Sequence, residues 1–423
     1  MASNLPQRVD VAVIGGGIIG ISTAWALAKA GVRAAVFEKG VVAGEQSSRN
    51  WGWIRTVGRD PKELPLALRA IDLWREIQAR RDVGYRQTGL AYLAETEQDM
   101  AAHRAWLDKA RPSGVSAELI GRDGLPALLG CATTRAWAGA LYSGIDGVAE
   151  PDRATRAIAD LAIQAGCQVF ENVAVRCLDT KAGKAAGVVT EQGVVGADAV
   201  VLAGGAWSRL FCGNAGVPFP QLKVHASVLR TTALETGLDM AINGKDFTVR
   251  KRADGGYSVS QLGASVADLT PDSIRLCRQF FAAWMSEKKY LKLRIGKRFF
   301  DELTMPTRFG PDAPTPFERH RMLDPAPRMK TIGTALDKLK QAFPAFAPAQ
   351  IAHAWAGFID VTPDAIPVIS PVDDIPGFFL ASGFSGHGFG IGPAAGALMA
   401  DLVQGRTPIV DPRAYRLSRY AGR

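Results

Sequence analysis

Residues Arg8 to Lys39 read RVDVAVIGGGIIGISTAWALAKAGVRAAVFEK, and this stretch decides the fold. Val9 to Ile14 is a short apolar run of strand type. Gly15, Gly17 and Gly20 follow in the spacing G-x-G-x-x-G. Ile18 to Ala30 reads as a helix with the small residues Gly20, Ala24 and Ala28 at i, i+4 and i+8. Arg33 to Phe37 is a second strand and ends at Glu38. Together these form a βαβ unit of the dinucleotide-binding type. Gly15 permits the tight turn, Gly17 lets the backbone approach a pyrophosphate, and Gly20 brings the helix close to the sheet. The helix start at Ile18 and Ile19 offers N–H groups and partial positive charge to phosphates. Glu38 is placed to accept hydrogen bonds from an adenosine ribose, and its charge repels a 2′-phosphate. The unit does not by itself distinguish FAD from NAD.

Working outward, a chain of 423 residues is long for one simple core, which points to two domains. An apolar fraction of 47% with 22% charged residues is that of an ordinary globular protein. The net charge of +9 admits anionic partners such as acidic lipids, nucleic acid or carboxylate substrates, and leaves peripheral association with the inner face of a membrane open. No run of five basic residues occurs, so most of this charge reads as dispersed and solvated. The five cysteines are scattered and lack C-x-x-C spacing, which argues against a disulfide framework or a metal site and fits a cytoplasmic location. No apolar signal core opens the chain, and no apolar run reaches the roughly 18 residues of a membrane span.

Val41 to Asp60, rich in Gly, Ser and Arg, reads as a loop beside the cofactor, with Ser47 and Ser48 near pyrophosphate or ribityl oxygens. Helical patterns cover Pro65 to Arg81, Thr96 to Ala110, Gly121 to Leu129, Pro271 to Tyr290 and Thr331 to Phe343. Another spans Glu150 to Ala165, with Asp152 as a possible N-cap. Strands are expected at Tyr85 to Ala94, Gln168 to Phe170, Ala174 to Leu178, Ala185 to Thr190 and Ala197 to Leu202. The last breaks into Gly204-Gly205 at the sheet edge where ligands bind. Val224 to Arg230, Phe247 to Lys251 and Tyr257 to Leu262 alternate around the hairpin signal Asp254-Gly255-Gly256, suggesting a separate antiparallel sheet. Thr304 to Arg328 reads as irregular. Phe378 to Ala381 is a strand, and Ser382 to Pro393, SGFSGHGFGIGP, a loop that feeds a helix over Ala394 to Val403.

These segments in this order resemble the D-amino-acid oxidase family of FAD oxidoreductases, which includes glycine oxidase, monomeric sarcosine oxidase and the D-amino-acid dehydrogenases. The resemblance rests on GGGIIG, GEQSSRN (Gly44 to Asn50), YRQTGLAYLA, DGVAEPDR (Asp146 to Arg153), LAGGAW (Leu202 to Trp207), WAGFIDVTPDAIPVI (Trp355 to Ile369) and FLASGFSGHGFGIGP, and spans nearly the whole chain. It implies an α/β fold: a Rossmann-like FAD-binding domain, discontinuous over residues 1–45, 150–220 and 350–423, and an α+β substrate domain over 46–149 and 221–349 built on an antiparallel sheet. By motif it implies that Gly15, Gly17, Ile18, Ile19, Gly20, Glu38 and Lys39 hold the ADP half. Ser47, Ser48, Arg49 and Asn50 would lie along the pyrophosphate and ribityl chain, and Val175 would meet the adenine. Gly204, Trp207, Gly383, Ser385, Gly386, His387 and Gly388 would line the flavin side.

Three departures from the family matter. The arginine that grips the substrate carboxylate after W-[AG]-G-[FL] is replaced by Ile359, followed by Asp360. Either another arginine (Arg55, Arg250 or Arg308) takes over, or Asp360 holds a cationic amine, which favours secondary amines, N-substituted amino acids or polyamine-like substrates. Gln261 stands where sarcosine oxidase has its oxygen-activating lysine, which favours a dehydrogenase. Gly357 stands near the flavin-linking cysteine, which implies non-covalent FAD. The implied reaction is hydride transfer from a C–H beside nitrogen to the flavin, giving an imine, with His387 orienting substrate or tuning the ring. Two alternatives are a subunit of a hetero-oligomeric opine or hydroxyproline dehydrogenase and a flavin-dependent tRNA modifier. The missing basic stripe counts against nucleic acid as a partner.

Overall fold

The computed structural model describes residues 5–261, 266–287 and 292–421. The opening unit folds as its pattern requires, with strand Arg8–Ile14, helix Ile18–Lys29 and strand Ala34–Phe37. Gly15 has φ 108°, and a Cβ there would stand 2.5 Å from the Ala203 carbonyl oxygen. A Cβ on Gly20 would stand 2.0 Å from the Gly15 oxygen. Both positions are glycine because backbone occupies the space a side chain needs.

The unit sits in the middle of an eight-stranded sheet. Its order is Val368–Pro371, Phe378–Ser382, Gly193–Leu202, Arg8–Ile14, Ala34–Phe37, Gln168–Phe170. The last five run parallel, and Val368–Pro371 is antiparallel to its neighbour. An antiparallel hairpin, Val175–Lys181 with Lys184–Thr190, extends from Gly193–Leu202. The carboxyl ends of four strands therefore meet at one edge: Gly15, Glu38, Ala203 and Gly383 follow them directly, where an open parallel sheet binds ligands.

The second sheet has ten strands, running from Lys292–Arg294 at one end to Glu118–Gly121 at the other through Leu222–Thr231 and Tyr257–Ser260. It is antiparallel as expected except at two pairings, Ala241–Asn243 with Leu90–Ala94 and Val266–Asp268 with Lys292–Arg294, which are parallel. Strand Ile351–Val361, placed by sequence with the FAD-binding segment 350–423, hydrogen-bonds along its length to Leu222–Thr231 in this second sheet. Helix Met329–Ala342 covers the sheet with Ile332, Leu336 and Leu339.

Several boundaries move for physical reasons. The loop Val41 to Asp60 contains a helical turn, Gln46–Arg49, and a short strand, Trp53–Ile54, paired to Val148 and Gly147. Asp152 lies in the first turn of helix Pro151–Gln164, and Glu150 holds the N-cap position. The last helix begins at Gly388, six residues before Ala394, and carries Pro393 inside it. Its glycines mark close packing, not a loop. A Cβ on Gly392 would stand 2.6 Å from Ile18, one on Gly396 2.5 Å from Ser22, and one on Gly390 2.8 Å from the Trp53 oxygen. Leu262 and Lys288 to Tyr290, assigned above to a strand and a helix, lie outside the described residues.

Candidate active site

A single long cavity runs along the carboxyl edge of the parallel sheet and onto the face of the second sheet. At one end it is lined by Gly15, Gly17, Ile18, Ile19, Glu38, Lys39 and Val175. Both carboxylate oxygens of Glu38 accept backbone N–H groups, from Gly16 and Gly40, each at 2.7 Å. Burial raises its pKa against these bonds. Gly17 leaves room at the helix start: a Cβ there would meet only Ser47 Oγ, at 3.1 Å. That hydroxyl accepts the Ile18 N–H at 2.8 Å, so Ser47 caps the helix across the loop and keeps its own proton for a phosphate. Lys39 donates to Glu45 and to the Arg321 carbonyl at 2.8 Å, with its ammonium 4.8 Å from the Trp207 ring centre.

Further along, Arg49 and Asn50 line the cavity, while Ser48 does not; its hydroxyl bonds the Glu45 carbonyl inside the short helical turn. Arg49 Nη1 donates to the Ala356 carbonyl at 2.8 Å, and Asn50 ties the Ser47 carbonyl to the Gly52 N–H. Gly204, Trp207, Ser385, Gly386, His387 and Gly388 all line the wall, with Ile359 packed against Gly386. Gly383 lies behind it, its N–H turned to Asp360 at 2.8 Å. The helix starting at Gly388 points its unbonded N–H groups and positive dipole end into this region. The donor set, the ribose acid and the open backbone at Gly17 fit a flavin adenine dinucleotide along this cavity.

His387, at the N-cap of that helix, donates its Nδ1 proton to Glu63 Oε2 at 2.9 Å. Burial and the positive charge of Arg59 push the imidazole down to about 4, so it is neutral at physiological pH and leaves Nε2 as an acceptor. Burial works to raise the Glu63 carboxyl, but His387 and Arg59 outweigh it and hold the group below its ordinary value. Arg59 is 2% exposed, lines the cavity, and its Nη1 has no hydrogen-bond partner. Burial lowers its pKa to about 10, which leaves it cationic.

The candidate substrate groups divide sharply. Asp360 is 3% exposed and accepts from Gln46 Nε2 at 2.8 Å, Gln221 Nε2 at 3.1 Å and the Gly383 N–H, with Ser382 Oγ at 3.4 Å. Burial pushes its pKa up. Asp360 lines the cavity, but its oxygens already accept from donors within the protein, which weighs against its receiving a cationic amine. Arg250 is 1% exposed, forks onto Glu150 at 2.7 and 3.1 Å, and donates Nε to the Trp51 carbonyl, so it is no substrate clamp. Arg308 bonds the Asn214 carbonyl and does not reach the cavity. Arg55 lines the cavity beside Arg59, over the Tyr92 ring at 5.7 Å.

Arg59, Glu63, Gln46, Trp53 and Arg328 escaped the sequence reading. Arg328 lines the cavity with its backbone N–H on Ser227 Oγ at 3.0 Å and no side-chain partner among the described residues. Arg59 and Glu63 both precede helix Leu64–Arg80, Glu63 at its N-cap, and no local pattern announces them or Arg328. Gln261 and Gly357 both line the cavity. Among the described residues no group of His, Cys, Asp or Glu is placed to hold a metal ion.

The family model "FAD dependent oxidoreductase" matches residues 10–402. The chain is 32% identical to the L-amino acid deaminase of Proteus myxofaciens, solved in complex with anthranilate, with a TM-score of 0.95 over 99% of this chain and 95% of that one. It is 26% identical to glycine oxidase of Geobacillus kaustophilus, over 99% of both. It is likewise 26% identical to 4-methylaminobutanoate oxidase (formaldehyde-forming) of Paenarthrobacter nicotinovorans, over 99% of this chain but 46% of that enzyme's length.

Proposed function

This chain belongs to the DAO family of FAD-dependent oxidoreductases acting on amines and amino acids, and from that premise we propose that its substrate is an amino acid recognised through its carboxylate. The observation that carries this reading is Arg59, a buried cation lining the cavity with one donor nitrogen unused. A buried donor without a partner costs about 1–3 kcal/mol, and a bound carboxylate removes that cost. Arg55 and Arg328 add two further positive groups to the lining. Asp360 and Glu63 are both committed to internal partners, so neither offsets the positive charge of these arginines toward a substrate. The internal donors on Asp360 weigh against polyamine-like substrates. Secondary amines that also carry a carboxylate remain within the proposal, and the names of the Proteus and Paenarthrobacter relatives describe carboxylated substrates.

Bound FAD supplies the hydride acceptor. The arginines orient the substrate by its carboxylate, so that the C–H beside nitrogen faces the flavin. His387, neutral and fixed by Glu63, offers an acceptor nitrogen to the substrate amine or the water that later hydrolyses the imine. Gly357, where a flavin-linking cysteine would stand, supports non-covalent attachment, and Gln261 supports a dehydrogenase.

The test is anaerobic flavin bleaching with amino acids and the matching amines that lack the carboxylate. Amino acids are expected to reduce the flavin at least tenfold faster at equal concentration, roughly 1.4 kcal/mol of discrimination. Amines reacting as fast as their amino acids would overturn the carboxylate reading.

A further inference from the structure

We propose that the segment Glu318 to Asp324 is a clasp over the ADP half of the cofactor site, and that FAD enters and leaves only when two bidentate ion pairs let it lift. With FAD along the cavity, its ADP half lies between two banks. One is formed by residues 39–49, which follow the ribose acid Glu38 and carry Ser47. The other is the hairpin Val175–Lys181 with Lys184–Thr190, continued by Glu191. Arg321 stands 282 positions from Lys39 and 130 from Glu191, yet it bonds both. It lines the cavity together with Phe317, Glu38, Lys39 and Val175.

On the hairpin bank, Arg176 Nε and Nη2 donate to the two Glu318 oxygens, each at 3.0 Å, and Arg321 forks onto Glu191 through both of its terminal nitrogens. The Arg176 and Glu318 side chains are only 15% and 11% exposed, so salt screens them less than a surface pair, and the fork fixes direction as well as distance. On the other bank the contact is a seam. Lys39 Nζ donates to the His320 and Arg321 carbonyls at 3.0 and 2.8 Å, and Arg321 Nη1 donates back to the Lys39 carbonyl at 3.0 Å. The Leu323 N–H donates to Glu45 at 3.1 Å, and Arg49 pairs with Asp324. The approach is so close that a Cβ on Gly40 would stand 2.6 Å from the Arg321 carbonyl oxygen.

The attachment is of a kind that can open. Phe317 is buried against Trp207 and Phe211, with ring centres 5.7 and 6.0 Å away, and serves as the hinge. Beyond it Arg319, His320, Met322 and Asp324 are exposed, and the segment belongs to neither sheet. Closure therefore rests on the ion pairs and the seam, and not on a strand ladder or a core. His387 and Arg59 make their bonds elsewhere, so the clasp bears on cofactor exchange and stands apart from the carboxylate reading.

The test is exchange of the bound flavin. Holoenzyme is mixed with excess radiolabelled FAD at about 0.1 M and about 1 M KCl, and label in the protein peak is followed by gel filtration. Wild-type exchange should speed up several-fold with salt. The double variant Arg176→Gln, Arg321→Gln should exchange about tenfold faster at low salt and lose most of the salt response. Gly40→Ala, which keeps both ion pairs but displaces the Arg321 carbonyl, should also exchange faster and keep the salt response. Phe343→Leu, a change in the core of the second sheet away from the cavity, controls for lowered stability. Unchanged exchange in the double variant would show that the pairs only support the fold, and would overturn the proposal. The same acceleration in Phe343→Leu at matched Tm would overturn it equally.

Discussion

The imidazole of His387 and the carboxylate of Glu63 are 324 positions apart in sequence and 2.9 Å apart in space, with Glu63 wholly buried. The bond fixes which ring nitrogen carries the proton at the start of the helix that faces the flavin region. Glu63→Gln removes the charge but keeps the shape. It should slow flavin reduction about tenfold, roughly 1.4 kcal/mol, with FAD content unchanged. Stopped-flow reduction measures this, and an unaltered rate would show that the pair only supports the fold.

The same pair sets a pH dependence. His387 titrates near 4 in the folded chain, below its ordinary 6.5, because it is buried beside Arg59. The unfolded chain therefore takes up the proton first as pH falls. Stability present above about 6.5 is lost progressively between 6.5 and 4, and Glu63, also held low, adds to the loss further down. Calorimetry of wild type and His387→Asn across this window should show a shallower fall of Tm in the variant. Equal slopes would mean that His387 is not the group responsible.

Gly17 and Gly20 separate cofactor binding from folding. A side chain at Gly20 collides with the Gly15 carbonyl, whereas one at Gly17 meets only the Ser47 hydroxyl. Gly17→Val should give a folded protein with little flavin, because the valine stands where the pyrophosphate approaches. Gly20→Ala should lower Tm as well. Circular dichroism with flavin absorbance tests both, and full flavin occupancy in Gly17→Val would contradict the placement of the pyrophosphate.

Asp360 accepts only from donors: Gln46, Gln221, Ser382 and the Gly383 N–H. In Asp360→Asn the amide group turns a donor toward one of them, leaving a buried clash worth about 1–3 kcal/mol. Tm and FAD affinity should drop, and all substrates should be affected alike. A loss confined to amines of one charge type would restore a direct substrate role.

What the sequence disclosed and what it hid follow from the range of the forces involved. The βαβ unit was legible because Gly15, Gly20 and Glu38 act on neighbours within one supersecondary unit. The start of the last helix was not, because Gly390, Gly392 and Gly396 answer to Trp53, Ile18 and Ser22, more than 300 positions away. Asp360 is harder to read: an acid in an apolar strand must find partners, and the local sequence does not say whether they are substrate or, as the structure has them, the side chains of Gln46 and Gln221. Arg250 misled in the same way, since its partner Glu150 lies 100 positions earlier.

Arg59 gives the sharpest test of the substrate assignment. Its Nη1, like Nε of Arg49, is a buried donor without a partner on a residue that lines this cavity, and the adjacent Arg55 has already spent one nitrogen on the Val57 carbonyl. A charge-assisted hydrogen bond to a carboxylate contributes about 1.5–3 kcal/mol, so Arg59→Gln should reduce kcat/KM for an amino acid roughly ten- to hundredfold. The corresponding amine without a carboxylate has nothing to lose there and should change less than about threefold. The comparison separates recognition from support: if Arg59 merely holds Glu63 and His387 in place, both substrates fall together. Equal losses for the two, measured by steady-state turnover with an artificial acceptor, would move the carboxylate site to Arg328, and Arg328→Gln would then show the selective loss.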